Sequence, residues 1–337
     1  MPGYIHHVEW CVSDLKGQVQ ALVSSFGFQP VAQRSRKVQD FVVEQIIVKS
    51  GSTVFLLTQK SRTSTVQDLV QDHEYPVLVC CDGHDHVRDT VFNVCLKVDQ
   101  VDAITQAVQE LDEQSVLVTP NDKCQVRLAV IKSPCGNVIH TLLESDFDPY
   151  PPGFEAIQTS IGQVWNENWL KTTHMDHVTY VCHQGQSAQI LQWYNRVFKM
   201  KRFLVSPQES IEGVEIAGDV NMRLTVGEWL SSWLCREEGV EFQDKYTSQL
   251  NFKLVLAEPL DNEKGSHVQN FLNDHGGPGL QHIGLTTPNA GQTVSIMSQN
   301  GAQFRKPPPT YYQLVSFDIG YLLRYKVLLV YFPREQK

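Results

Sequence analysis

Ile5-His6-His7-Val8-Glu9-Trp10 and Met175-Asp176-His177-Val178-Thr179-Tyr180 are variants of one short strand, written once in each half of the chain. An amphipathic stretch follows each, 15–26 and 188–198. In the second, Ile190, Leu191, Tyr194, Val197 and Phe198 recur at helical spacing. Both then return to strand-like sequence, Phe28-Gln29-Pro30-Val31 and Met200-Lys201-Arg202-Phe203-Leu204. A second echo follows: Asn93-Val94-Cys95-Leu96 precedes a helical stretch at 101–111, and His282-Ile283-Gly284-Leu285 precedes one at 290–300. Strand, helix, then several strands, repeated, predicts an α+β protein of tandem βαβββ modules, whose curled mixed sheets each keep a concave face. Pro149, Pro151, Pro152 and Gly153 mark residues 146–169 as the linker between domains 1–145 and 170–337.

The composition sets limits on partners. The 337 residues, 42% hydrophobic, suffice for two ordinary domains. A net charge of −9 with no basic block argues against nucleic acid as a partner. No apolar run approaches the roughly 20 residues of a membrane span. Met1-Pro2-Gly3-Tyr4 enters a strand without a signal peptide or Arg-rich leader. An intracellular, cytoplasmic location is therefore expected, with mitochondrial association left open. Eight scattered cysteines without a C-x-x-C motif predict reduced thiols.

The chemistry lies with His177 and His282, each opening a strand in the second half. They are too far apart for a local zinc motif and can meet only if the sheet curls around a common pocket. A carboxylate from a third strand would then complete the facial triad of non-haem ferrous iron. The competing reading is a pair of hydrogen-bonded core histidines. The first half offers His7, Asn93 and His140 at the corresponding positions. Asn93 is a poor ligand and the set lacks a carboxylate, which predicts a vestigial site filled by side chains. His7 and His140 should have hydrogen-bond partners, because an unpaired buried imidazole is costly. Strand alternation places Asp176 and Gln281 on the face opposite the histidines, as outer or surface groups.

Three motifs, in order, carry a wider resemblance: Pro151-Pro152-Gly153-Phe154-Glu155, Gly276-Gly277-Pro278-Gly279-Leu280-Gln281-His282-Ile283, and Lys306-Pro307-Pro308-Pro309-Thr310-Tyr311-Tyr312. From Tyr4 to about Leu314 the chain resembles the 4-hydroxyphenylpyruvate dioxygenase family of the vicinal oxygen chelate superfamily, and most of all its dioxygenase-like branch. The resemblance implies a tandem vicinal oxygen chelate fold with the site in the second half. It implies Fe(II) on His177 and His282, and as partners dioxygen and an aromatic 2-oxo acid such as 4-hydroxyphenylpyruvate. The reaction implied is oxidative decarboxylation with hydroxylation, to homogentisate or 4-hydroxymandelate. Self-association as a homodimer is left open.

The chain also departs from that family. Where the family has Asn-Glu-Pro, this chain has Ala257-Glu258-Pro259, and His267 replaces a glutamine. Ser266, His267 and Gln281 remain the candidate substrate contacts, although Ser266 reads equally well as the cap of a helix over 267–274. The family's iron-binding glutamate lies on a strand after the Pro-Thr-Tyr-Tyr motif. Here Gly320-Tyr321-Leu322-Leu323 resembles the strand before it, which would put the acid just beyond Lys337. Residues 327–332 read as a strand without an acid, and neither Asp318 nor Glu335 is placed as a ligand. Two functions therefore stay open: an Fe(II)-dependent dioxygenase, and a catalytically silent paralogue serving as a ligand-binding or protein-interaction module.

Overall fold

A computed structural model describes residues 3–38, 41–59, 75–78, 89–120, 126–144, 150–157, 174–204, 209–216, 221–229, 252–260, 266–304 and 327–331. The first half runs β1 (Tyr4–Val12), α1 (Leu15–Phe26), β2 (Gln29–Val38), β3 (Phe41–Ser50), β4 (Thr53–Gln59), β5 (Thr90–Lys97), α2 (Val101–Gln109), β6 (Val116–Val118), β7 (Leu128–Lys132), β8 (Ile139–Leu143) and β9 (Glu155–Ala156). The second runs β10 (His174–Val181), α3 (Ser187–Phe198), β11 (Lys201–Phe203), β12 (Val214–Ile216), β13 (Met222–Trp229), β14 (Phe252–Pro259), α4 (His267–His275), β15 (Gly279–Thr286), α5 (Ala290–Gln299) and β16 (Val327–Tyr331). Among the described residues, no helix is long and apolar enough to cross a membrane.

Local chemistry sets the helix ends. Asp14 accepts from the Gly17 amide at 2.9 Å to start α1, and Gly27 ends it with φ +68°. Asn289 caps α5 in the same way, accepting from the Gln292 amide at 3.1 Å.

Among the described residues, two sheets form: β6-β7-β8-β5-β1-β4-β3-β2-β9, and β11-β13-β14-β10-β15-β16 with β12 on β13. Each is a mixed sheet with the same centre. β1 pairs parallel with β4 and antiparallel with β5, just as β10 pairs with β14 and β15. The first half thus holds the βαβββ unit twice, as β1 to β4 with α1 and as β5 to β8 with α2.

The central pairs share a further irregularity. His6 and Phe92 in the first half, and Asp176 and Gln281 in the second, are extra residues at which the register of the ladder shifts. Such bulges bend a strand and re-aim its side chains.

One apolar core runs through both halves, joining Val8, Trp10 and Leu96 to Val178, Tyr180 and Ile283. Polar contacts add to it: Ser25 Oγ donates to the Asn300 carbonyl at 3.0 Å, and Thr90 Oγ1 meets His275 Nε2 at 2.9 Å. Gly136 has φ +55°, and a Cβ there would overlap the Pro278 carbonyl. The glycine-rich turn of the second half is therefore pressed against a glycine turn of the first.

The expected linker is partly structured. β9 joins the first sheet beside β2, and Arg34 lies 4.3 Å over the Phe154 ring. Residues 145–149 and 158–173 lie outside the described residues.

Candidate metal centre

His177 and His282 come together on the neighbouring strands β10 and β15, with ring centroids 5.7 Å apart and ring planes nearly perpendicular at 84°. His177 stands opposite Gly284, where a Cβ would overlap its ring. The absent side chain makes room for the imidazole. His177 Nδ1 donates to Asp176 Oδ2 at 2.9 Å, and Lys253 Nζ, from the register partner of His177 on β14, donates to Asp176 Oδ1 at 3.0 Å. His282 Nδ1 donates to Gln281 Oε1 at 3.1 Å. These acceptors assign the proton of each ring to Nδ1 and its lone pair to Nε2, the tautomer a metal requires.

Electrostatics favour the same state. Burial lowers the pKa of His282 well below the ordinary histidine value, helped by the charges of His177 and His267. His282 is therefore a neutral imidazole at pH 7.

Strand alternation misplaced Asp176 and Gln281. Each is the extra residue of a bulge, which swings its side chain onto the histidine that follows. Gln281 thus sits against His282. Ser266 is buried and accepts from the Val268 amide at 3.3 Å as the cap of α4. His267 begins α4, near enough to His282 to influence it. Glu258 is taken up structurally: it pairs with Arg223 at 3.0 Å and accepts from the Gly185 and Ser187 amides at 2.9 and 3.2 Å, holding the start of α3.

Sequence reasoning missed Lys253. Its signal was the parallel pairing of β10 with β14, which sets it beside His177.

The residues fit two positions of a facial triad. Among the described residues, no carboxylate or thiol joins His177 and His282 in a group of three within 4.8 Å. β16 occupies the place beside β15, running antiparallel with Tyr331 opposite His282, and its five residues include no acid. In the first half the same place is held by β8, running parallel. Residues 306–312, 320–323, Asp318 and Glu335 lie outside the described residues.

The equivalent place in the first half is filled. Asn93 donates to Glu9 Oε2 at 3.3 Å and Thr141 Oγ1 at 2.9 Å, and accepts from the Thr141 amide at 3.0 Å. Glu9 Oε1 accepts from Gln45 at 2.9 Å and Thr58 at 2.6 Å. Arg34 Nε in turn donates to Gln45 Oε1 at 2.9 Å.

His140 does not face His7 and Asn93 as the repeat suggested. Its Nδ1 meets the Val94 carbonyl at 2.9 Å and its Nε2 the Tyr194 hydroxyl at 2.7 Å, so it reaches α3 of the other half. His7 Nε2 bonds the Tyr75 hydroxyl at 2.9 Å. Both histidines are partnered, as their burial required.

No protein-family model matches the chain. It is 30% identical over 303 residues to the 4-hydroxyphenylpyruvate dioxygenase-like protein of Mus musculus, a match covering 86% of this chain and 70% of that one. The Homo sapiens protein of the same name is 30% identical over 297 residues, with the same coverage. The 4-hydroxyphenylpyruvate dioxygenase of Neurospora crassa is 24% identical over 322 residues, covering 92% of this chain and 72% of its own. Among solved structures, a mutant of 4-hydroxymandelate synthase from Streptomyces coelicolor superposes with a TM-score of 0.63 at 18% identity, over 97% of this chain and 84% of that one. That likeness carries the fold.

Repeated modules of mixed sheet with bulged central strands, in a fold shared with 4-hydroxymandelate synthase, define the vicinal oxygen chelate class. Within that class the chain belongs to the 4-hydroxyphenylpyruvate dioxygenase-like family.

Proposed function

We propose that this protein is an Fe(II)-dependent dioxygenase acting on an aromatic 2-oxo acid such as 4-hydroxyphenylpyruvate, with the metal on Nε2 of His177 and His282. The observation that carries this reading is the pair of outer hydrogen bonds from the two Nδ1 atoms to Asp176 and Gln281. A histidine needed only for packing gains nothing from an outer acceptor that leaves Nε2 its lone pair, and here two neighbouring imidazoles are held that way. Ferrous iron, when bound, would supply the activation of dioxygen.

The residues supply the rest. Lys253 fixes Asp176 and Asp176 fixes His177, while Gln281 fixes His282. Apolar neighbours such as Val178, Ile283 and Leu285 keep the strands behind the pair dry. The oriented imidazoles set where the carboxylate and keto oxygens of a 2-oxo acid would lie.

A second reading has its own support. Without a third ligand among the described residues, and with Ala257 and His267 in place of two family amides, the pocket suits a silent ligand-binding module. Groups designed to hydrogen-bond a substrate discriminate strongly, so their loss alters which 2-oxo acid is held.

The test combines anaerobic iron titration with oxygen uptake on the 337-residue chain. One iron per chain, lost in His177→Ala and His282→Ala, together with oxygen consumption and carbon dioxide release from 4-hydroxyphenylpyruvate, is expected. Iron content indifferent to both substitutions overturns the site. Iron and 2-oxo acid bound without oxygen uptake would select the silent module.

A further inference from the structure

The bulge that sets Asp176 beside His177 has a counterpart in the first half with different chemistry. There the extra residue is His6, and its Nδ1 lies 2.8 Å from Nδ1 of His7. Opposite His7, where the second half has Gly284, stands Cys95. The donor atoms of His6, His7 and Cys95 all lie within 4.8 Å of one another.

We propose that His6, His7 and Cys95 form a second metal site, specific for a borderline-soft divalent cation, zinc, and separate from the His177–His282 pair. This is not the triad that the repeat suggested, since Asn93 and His140 take no part. It stands whether or not the second half holds iron.

Three observations carry it. Two imidazole Nδ1 atoms facing each other at 2.8 Å repel unless a proton or a cation lies between them. His7 is already committed on its far side: if its Nε2–H donates to the Tyr75 oxygen at 2.9 Å, Nδ1 is left with its lone pair toward His6, with the Cys95 sulfur in the same cluster beside Tyr75. That is the outer hydrogen bond that orients a ligating histidine. The donor set also selects the ion, because two imidazoles and a thiolate suit zinc, whereas magnesium and calcium prefer oxygen.

The geometry is within reach. A tetrahedral ion with metal–nitrogen bonds of about 2.0–2.1 Å holds two nitrogens roughly 3.3 Å apart, an opening of about half an ångström. His7 and Cys95 are buried while His6 is half-buried, so an ion would enter past His6 and leave its fourth position on that side. On binding, the Cys95 thiol proton passes to solvent and the resulting thiolate offsets one charge of the cation.

The experiment uses the complete chain, first stripped with a chelator. Zinc affinity is measured by competition titration, and Co(II) serves as a spectroscopic stand-in. The parent, Cys95→Ser, His6→Gln and His282→Ala are compared. Expected are a thiolate-to-cobalt charge-transfer band in the parent, lost in Cys95→Ser and kept in His282→Ala. A lost ligand matters at least as much as a lost outer partner, so zinc should bind at least about 10–100-fold more weakly in Cys95→Ser and His6→Gln. His6→Gln changes a half-buried position and guards against a folding defect in the cysteine variant. Zinc affinity unchanged in both variants, or a band that survives Cys95→Ser, overturns the proposal.

Discussion

Asp176 shows how much of a metal centre can lie one residue away from the ligand. Burial opposes its charge, but the His177 hydrogen bond and the Lys253 ammonium outweigh that and hold its carboxyl well below the ordinary range. It is therefore an anion at any physiological pH and a fixed acceptor for His177 Nδ1. Asp176→Asn keeps the shape and loses the charge. Iron affinity in an anaerobic titration should fall about 10–100-fold, with an unchanged circular dichroism spectrum. An affinity within about twofold of the parent would mean that His177 is oriented by something else. His177 was legible from the repeat alone, because an imidazole recurs at the matching place of the first half as His7. For Asp176 the sequence offered an outer or a surface group; the structure makes it the outer one, but on the face that period-two alternation denied it, since no glycine or proline nearby announces the bulge that brings it back.

At the scale of elements, three strands share one ionic joint. β10 supplies Asp176 and His177, β14 supplies Lys253, and β15 supplies the bare backbone of Gly284. Both charged side chains are largely buried, 11% exposed for Asp176 and 13% for Lys253. Lys253→Met would leave the carboxylate without its cation in a poorly solvated place, costing about 3 kcal/mol in urea unfolding. Adding Asp176→Asn to that variant should recover part of the loss, and strict additivity of the two would show that they do not interact. The helices were readable to within a residue or two, since amphipathic spacing and a capping residue such as Ser266 are local signals. The sheet order was not, because the pairings of β1 with β4 and β5 depend on residues far apart in the chain. The same holds for β16: its strand character was plain in Val327 to Tyr331, but its antiparallel place beside β15 was not.

For the whole molecule, the contact between halves is an acid-sensitive seam. Burial pushes His140 down from 6.5 to about 4, only partly opposed by its bond to the Val94 carbonyl. The unfolded chain protonates this histidine near its ordinary value. Between the two values it holds more protons than the native state, so stability is full above about pH 6.5 and is lost as pH falls toward 4. At about 1.4 kcal/mol per pKa unit the full span is on the order of 3 kcal/mol. Urea unfolding at about pH 5 and pH 7.5 should show about 2 kcal/mol of this loss in the parent and a flatter response in His140→Gln; equal slopes would place the acid sensitivity elsewhere. The repeat made two similar halves visible in the sequence, and it also misled, because His140 serves the seam rather than a pocket. The filled polar cluster of the first half bears on a hazard of any such duplication. Two near-copies of one strand in a single chain can exchange places during folding. If β10 took the slot of β1, Thr179 would replace Glu9, and the amides of Gln45 and Asn93 would each lose one of two buried acceptors, leaving one N–H unmet. Each orphaned group costs about 1–3 kcal/mol. The polar cluster therefore favours the correct copy of the strand at the first sheet, as a lock favours its own key.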